Sequence, residues 1–585
     1  MNRYSSQGTS DKAVSKAGTS RPRPPRIQPV RKSPHLRGLH KALRDAIPAL
    51  RGVIPLSSKQ LDEDFHRALS CQQASDFKYW YLEANLLKRY MGSDLSDKEA
   101  RVTNALEKLM DSEVRCAETN RVFAGGIEFS NSAIPLHLLS RLKRARRILH
   151  RLLGEFDINK LPEACNFSPG ATSELPRKEA ALHNKWARAA HVTARAQPYA
   201  EAFLIWAGLP DLCRDLVVTN ANVVFTVPKN FERDRTAAKP VTWNAFFQKG
   251  LGTLIKRRLQ RYEKLLLPDA QEYHRVLAKL GSAIGALCTR DLASASDCVA
   301  TNLVLALAPP SWSEALMDTR EPHGIIPGSP KQVVWEKISS MGNGYTFELE
   351  TAIFYSLVRA CCSGKSLVSV YGDDIVFPAR YAESVDELLS FCGFEINREK
   401  SFSTESQFRE SCGGHYFAGQ DVKPFYVTHL PSTLSDVINL HNDIVRWHQG
   451  IPSSGTRWHP VWAACRQIIP RVFWGPPGVQ GVAWAEWDEC TPTYEPDLQA
   501  FRIGVVTRAI DRTEDLSGAV GADGISVVKS AHIGAYLQKL WQCDPLPWES
   551  SEVSKYQTTG TRERSSWLYV DRGQWNRLTA ETLCN

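Results

Sequence analysis

A chain of 585 residues is too long for one hydrophobic core, and 43% hydrophobic with 23% charged residues is the balance of a folded globular protein rather than a disordered or fibrous one. The formal charge of +9 belongs to one end: ten of the 72 Lys and Arg fall in residues 1–41 against a single acid, Asp11, and the rest of the chain is balanced. Fourteen scattered cysteines, with no C-x-x-C and only Cys361 and Cys362 adjacent, argue against a disulfide framework or a zinc site, and no apolar run nears the roughly 18 residues of a membrane span.

Residues 1–41 are rich in Ser, Gly, Pro and Arg, with Arg-Pro-Arg-Pro-Pro-Arg at 21–26, and are predicted to be a disordered basic tail. A polybasic arm on RNA phosphates and a plain solvated tail are both open readings. From 42 to about 215 the pattern is mainly helical. The clearest helix is Leu136–Leu153, with Leu138, Leu139, Leu142, Ala145, Leu149 and Leu152 on one face. Its other face carries Arg141, Lys143, Arg144, Arg146, Arg147 and Arg151, which suits either a neighbouring anion or a solvated surface. Between 285 and 420 strands and helices alternate. After 421, Trp recurs among Pro and Gly and is read chiefly as packing, with one or two rings able to stack on a base.

The chemistry concentrates in the alternating segment. Ser366–Phe377 is two apolar runs joined by Gly372-Asp373-Asp374, the pattern of a tight β-hairpin. Good turn chemistry alone explains Gly-Asp, but a second carboxylate follows at once. Adjacent like charges on a partly buried turn raise each other's pKa unless a cation intervenes, and oxygen-only ligation suits Mg²⁺. Gly285–Arg290 reads as a strand that delivers Asp291 at its C-terminal end. Val299–Ala308 then reads as a helix, with Ser294, Ser296 or Asp297 placed to cap it. Asp291, Asp373 and Asp374 on neighbouring strands would hold two Mg²⁺ about 3.5–4 Å apart, the arrangement that clamps both oxygens in phosphoryl transfer.

Lys337–Glu350 (Lys-Ile-Ser-Ser-Met-Gly-Asn-Gly-Tyr-Thr-Phe-Glu-Leu-Glu), Tyr371–Ile375 and Phe408–Gly413 together resemble the replicase catalytic subunits of the small positive-strand RNA bacteriophages, the levivirus group. Phe225–Asn230, Asp234-Arg235 and Asp291–Asp297 add to the likeness, which covers roughly 220–430. The resemblance implies an α+β right-hand polymerase: a basic tail at 1–41, fingers and N-terminal helices at 42–284, a palm at 285–420 and a thumb at 421–585. It implies an RNA-directed RNA polymerase using NTPs, an RNA template and two Mg²⁺, with Mn²⁺ able to substitute. Asp291, Asp373 and Asp374 match the metal-binding acids. Lys229, Arg233, Arg235 and Lys239 match the cations that grip the triphosphate. Ser340, Gly342 and Asn343 match the nucleotide loop, Asn343 and Asp297 being placed to read the ribose 2′-hydroxyl. Lys400 matches a candidate general acid toward pyrophosphate. The same likeness implies the host elongation factors Tu and Ts and a ribosomal RNA-binding protein as partners, the cytoplasm of the bacterial host as the setting, and no membrane.

Two other readings use the same residues. A reverse transcriptase or DNA polymerase shares the acidic pair, although Asn343 and Asp297 lean toward RNA precursors. A non-catalytic RNA-binding protein would use only the tail and the 136–153 helix.

Overall fold

The computed structural model describes residues 24–51, 57–92, 97–128, 131–168, 170–177, 180, 185, 190–515 and 555–577. Two compact units divide the chain, one of residues 43–430 with 510–561, the other of 1–42, 431–509 and 562–585. Apart from Ala42, the expected fingers and palm segments, 42–284 and 285–420, therefore lie in a single unit. The fold mixes helices with small sheets and is of the α+β class.

The tail reading lies outside the described residues as far as 23. Beyond it the expectation of disorder to residue 41 fails, because helix α1 (Leu36–Ala46) forms across that boundary and buries Leu39 and Leu43.

The first unit opens with helices α2 (Ser58–Ser70), α3 (Ala74–Leu86), α4 (Lys98–Val122) and α5 (Leu136–Leu153). All six apolar positions expected on α5 are buried, as the 3.6-residue period demands. Its basic face is largely occupied from within. Arg141 pairs with Glu387 at 2.7 Å, Arg146 with Glu128 at 3.4 Å and Arg151 with Glu263 at 3.7 Å, while Arg144 donates to the carbonyls of Ala360 and Cys362. These internal partners remove much of the case for an anion alongside α5.

Next come the hairpin β1 (Ala221–Pro228) and β2 (Asp234–Lys239), then helices α6 (Thr242–Glu263) and α7 (Ala270–Ile284). Strand β3 (Leu287–Arg290) leads to a 3₁₀ turn at Ala295–Cys298 and helix α8 (Thr301–Leu307). No side chain caps α8, whose N-cap is Ala300; the 3₁₀ turn separates Ser294, Ser296 and Asp297 from the helix they were expected to cap. Strands β4 (His323–Ile325) and β5 (Gln332–Val334) join β1 and β2 in a sheet ordered β2-β1-β4-β5.

Helix α9 (Thr346–Cys361) precedes strands β6 (Ser369–Tyr371) and β7 (Asp374–Pro378), and helix α10 (Ala382–Phe391) follows. The sheet ordered β3-β7-β6 is covered on both faces. Cys288, Val370, Ile375 and Phe377 join the main core with α9, whereas Leu287 and Val376 pack on Leu277 of α7. Coverage on both sides is why the central strand, β7, carries the unbroken apolar run Ile375-Val376-Phe377. A last sheet, β8 (Phe408–Ser411), β9 (Gly414–Phe417) and β10 (Gln420–Asp421), stacks Phe408 and Phe417 on Phe77 of α3, at ring distances of 4.9 and 4.4 Å.

The second unit contains α11 (Leu434–His448), begun by a Thr433–Asp436 capping box, and α12 (His459–Ile468). Here Trp acts in packing. Arg466 lies over the rings of Trp462 and Trp474, at 4.7 and 4.2 Å, and pairs with Glu489.

Candidate active site

The turn between β6 and β7 is the feature around which the site assembles. Tyr371 pairs with Asp374, so Gly372 and Asp373 are the two turn residues, and Gly372 takes φ +60, which a two-residue hairpin turn requires. A side chain at 372 would also strike Phe347, 2.6 Å from the position its Cβ would take. On the other side of β7 the last ladder pair is Ile375 with Arg290, so Asp374 and Asp291 each come next at the same end of the sheet. Two chain segments 80 residues apart in sequence thus bring three acids to one sheet end.

Their electrostatics match that closeness. Burial raises Asp291 to about 6, Lys400 pulling it down and Asp373 pushing it up. Burial raises Asp374 to about 7, with Asp373 as the next cause and Asp291 adding to it. Hydrogen bonds hold both acids in place: Asn397 Nδ2 donates to Asp291 Oδ2 at 2.6 Å, while the Cys412 N–H and Ser411 Oγ donate to Asp374 Oδ1 at 3.1 and 3.2 Å. Among the described residues no three His, Cys, Asp or Glu side chains form a ready metal cage. That arrangement is compatible with Mg²⁺, which takes one or two carboxylates and fills its octahedron with waters and substrate phosphates. The donor set fits in kind: all oxygen, with Asp291 and Asp374 raised in pKa.

Lys400 Nζ lies 3.7 Å from Asp291 Oδ1 and 3.9 Å from Glu410 Oε1. Glu410 first, and then Asp291, hold its pKa well above the ordinary lysine value, so it stands here as a fixed cation. That is the opposite direction from the one that eases proton donation near neutral pH. Lys229, Arg235 and Lys400 line one cavity of about 590 Å³ together with Lys88 and Arg89. Crowding there, by burial and then by Arg235 and Lys400, lowers Lys229 to about 8.

The four cations expected to grip a triphosphate do not share that cavity. Arg233 lines a second one, of about 810 Å³, with Lys108 and Arg115, and Lys239 lies 5.6 Å over the ring of Phe225. Arg233 precedes β2, whereas Arg235 and Lys239 lie at its two ends, four positions apart.

The loop before α9 is pinned by backbone. Ala238 N–H donates to Met341 O at 2.8 Å, and Gly342, at φ +113, passes so near Ala238 that a Cβ would lie 2.2 Å from its carbonyl oxygen. Ser340 is buried and its carbonyl accepts from Thr346 Oγ1. Asn343 Oδ1 accepts from the Tyr345 N–H, and its Nδ2 is buried without a hydrogen-bond partner among the described residues. Asp297 is buried and bonded to Lys337.

Three groups escaped sequence reasoning. Glu350, one turn into α9, is buried beside Gly372 with Oε2 unpartnered among the described residues, and burial, then Asp373 and Asp297, hold its pKa far above the usual carboxylate range. Glu410 and Lys337 both lie in segments that carried the family likeness. A charge set among apolar neighbours, as in Trp335-Glu336-Lys337-Ile338, was the available signal.

Residues 50–481 match the family described as "RNA replicase, beta-chain". The chain is 37% identical over 410 residues to the RNA-directed RNA polymerase subunit beta of Qbeta virus (strain MX1), covering 68% of this chain and 67% of that one. It is 38% identical over 390 residues to the subunit beta of Enterobacteria phage SP, covering 64% and 65%. It is 34% identical over 409 residues to the beta chain of Escherichia phage MS2, covering 68% and 73%. Among solved structures, the RNA-dependent RNA polymerase of a human picorbirnavirus superposes on 43% of this chain and 56% of that one at 14% identity, and its TM-score of 0.30 adds nothing to the fold described above. The chain belongs to the RNA replicase beta-chain family, the RNA-directed RNA polymerase subunits of RNA phages.

Proposed function

We propose that this RNA-directed RNA polymerase joins nucleotides at the sheet end formed by β3, β6 and β7, with Asp291, Asp373 and Asp374 as its metal-binding acids. The observation that carries the reading is the register whose last pair, Ile375 with Arg290, leaves Asp374 and Asp291 at one sheet end, with Asp373 in the adjoining turn. When bound there, two Mg²⁺ would supply a more acidic 3′-hydroxyl and a counter-charge for the departing pyrophosphate. Asn397, Ser411 and the Cys412 N–H hold the acids in place, so little reorganisation is needed when substrate arrives.

Lys229, Arg235 and Lys400 serve as positive charges for the triphosphate, each lining the same cavity. Asn343 has an unspent donor and Asp297 a carboxylate for the ribose 2′-hydroxyl. The segments 42–284, 285–420 and 421–585 act as fingers, palm and thumb. Host elongation factors Tu and Ts and a ribosomal RNA-binding protein complete the enzyme in the bacterial cytoplasm, a reading supported by the designation of the relatives as beta subunits.

The test is primer-free synthesis on RNA with Mg²⁺, by the purified chain alone and with host extract, comparing ribo- with deoxyribonucleotides. Asp373→Asn should abolish synthesis and spare RNA binding. Synthesis that survives the substitution would remove the turn from the mechanism.

A further inference from the structure

Lys337, the residue that leads into the 338–344 loop, is only 1% exposed. Its Nζ lies 2.9 Å from Asp297 Oδ1 and 3.3 Å from Glu113 Oε1, with the Trp335 ring 4.3 Å away. Three separate segments meet at this ammonium: α4, the 3₁₀ turn after β3, and the approach to the loop. Glu113 is tied in turn, since its Oε2 accepts from the Glu336 N–H at 2.8 Å. Backbone bonds from Ile338 to Val299 and from Thr301 to Glu336 lock the same strip to the turn.

A buried ammonium has a desolvation cost that a packed apolar residue would avoid, so its presence calls for a reason beyond stability. The geometry offers one. With Oδ1 held by Lys337, the Asp297 carboxylate cannot rotate freely, and Oδ2 is left to accept from something else. Asp297 is also close enough to the acidic turn for Glu350 to sense both it and Asp373.

We propose that Lys337, braced by Glu113, is a positioning residue for sugar discrimination, fixing Asp297 so that its remaining oxygen accepts from the ribose 2′-hydroxyl of the incoming nucleotide. A deoxyribonucleotide has no hydroxyl to offer, and discrimination depends on how firmly that oxygen is aimed. The inference rests on the reading that Asp297 faces the ribose, and the test separates the two.

Full-length chain, with host extract if synthesis needs it, is assayed for kcat/KM with ATP and dATP on an RNA template. Asp297→Asn tests the underlying reading, and Lys337→Met tests the inference. Loss of one well-aimed hydrogen bond to a charged group should lower the ATP/dATP ratio about tenfold in each. Lys337→Arg, which keeps the charge, should recover most of it. If Lys337→Met fails to fold, the double variant Glu113→Gln/Lys337→Met removes one of the two acids left without their lysine and replaces it in the assay. The ratio is the readout because a general structural defect lowers both rates together. A ratio unchanged by Asp297→Asn overturns the ribose reading. A ratio lowered by Asp297→Asn but unchanged in the folded Lys337 variant overturns the positioning role.

Discussion

The half-buried acids at the β6–β7 turn and the buried acids around Lys337 differ in how the fold meets their charge. Asp297 and Glu113 share one lysine inside the fold, at 2.9 and 3.3 Å. Asp291 and Asp374 accept hydrogen bonds, but the cation beside them, Lys400, is 45% exposed and no nearer than 3.7 Å to Asp291. One group is balanced as the chain folds. The other is left short of positive charge, as a site for ions that arrive with substrate should be. What separates the two groups is the counter-charge: a buried lysine between the carboxylates in one, a more exposed and more distant one in the other.

The largest test of that difference is on activity. Asp373→Asn or Asp374→Asn should reduce RNA synthesis by roughly a thousandfold or more in a primer-extension assay, a loss of at least about 4 kcal/mol in the barrier. On stability the two groups should part in sign. Arg101 and Asp234 form another internally balanced pair, at 2.9 Å with both side chains buried, and Arg101→Met should destabilise the chain by about 3–5 kcal/mol in urea melts.

Asp374→Asn should do the reverse. Between the ordinary carboxylate value of 3.8 and the raised values of about 6 and 7, the folded chain holds more protons than the unfolded one, so stability falls as pH rises through that window and stays low above it. Without divalent ions the asparagine variant should gain on the order of 2–4 kcal/mol at pH 8 and little near pH 4. By the same linkage Mg²⁺ should raise the melting temperature more at pH 8 than at pH 5.5, and this pH contrast should shrink in Asp374→Asn. The smallest effect is expected on α5: Arg141→Ala, which loses a solvent-exposed pair with Glu387, should change stability by about 0.2–1 kcal/mol and leave the salt dependence of RNA binding unaltered.

What could be read from sequence followed from local period and turn chemistry. The β6–β7 hairpin, strand β3 and helix α5 were visible because apolar spacing and Gly372 specify them over a dozen residues or so. The acids Asp291, Asp373 and Asp374 were visible because they end apolar strands. The rest depended on partners distant in the chain. Lys337 meets Glu113 across more than two hundred positions, and the internal acids that occupy α5 come from Glu128, Glu263 and Glu387. No pattern on one helix announces such pairings. The supposed capping by Ser294, Ser296 or Asp297 failed for a similar reason, since the carboxylate that might have capped α8 was claimed by a lysine 40 residues on.

Helix α4 touches the site region twice, through Arg101 on Asp234 and through Glu113 on Lys337. Twelve residues separate these anchors, about 18 Å along the axis at the usual rise. Inserting one residue between them would swing one anchor by about 100°, and inserting seven would restore the angle but slide it by about 10 Å. No insertion length satisfies both partners. The helix is thus a gauge block whose span is set at both ends, and a replicase of this kind should tolerate side-chain changes on its outer face far more readily than any change in its length.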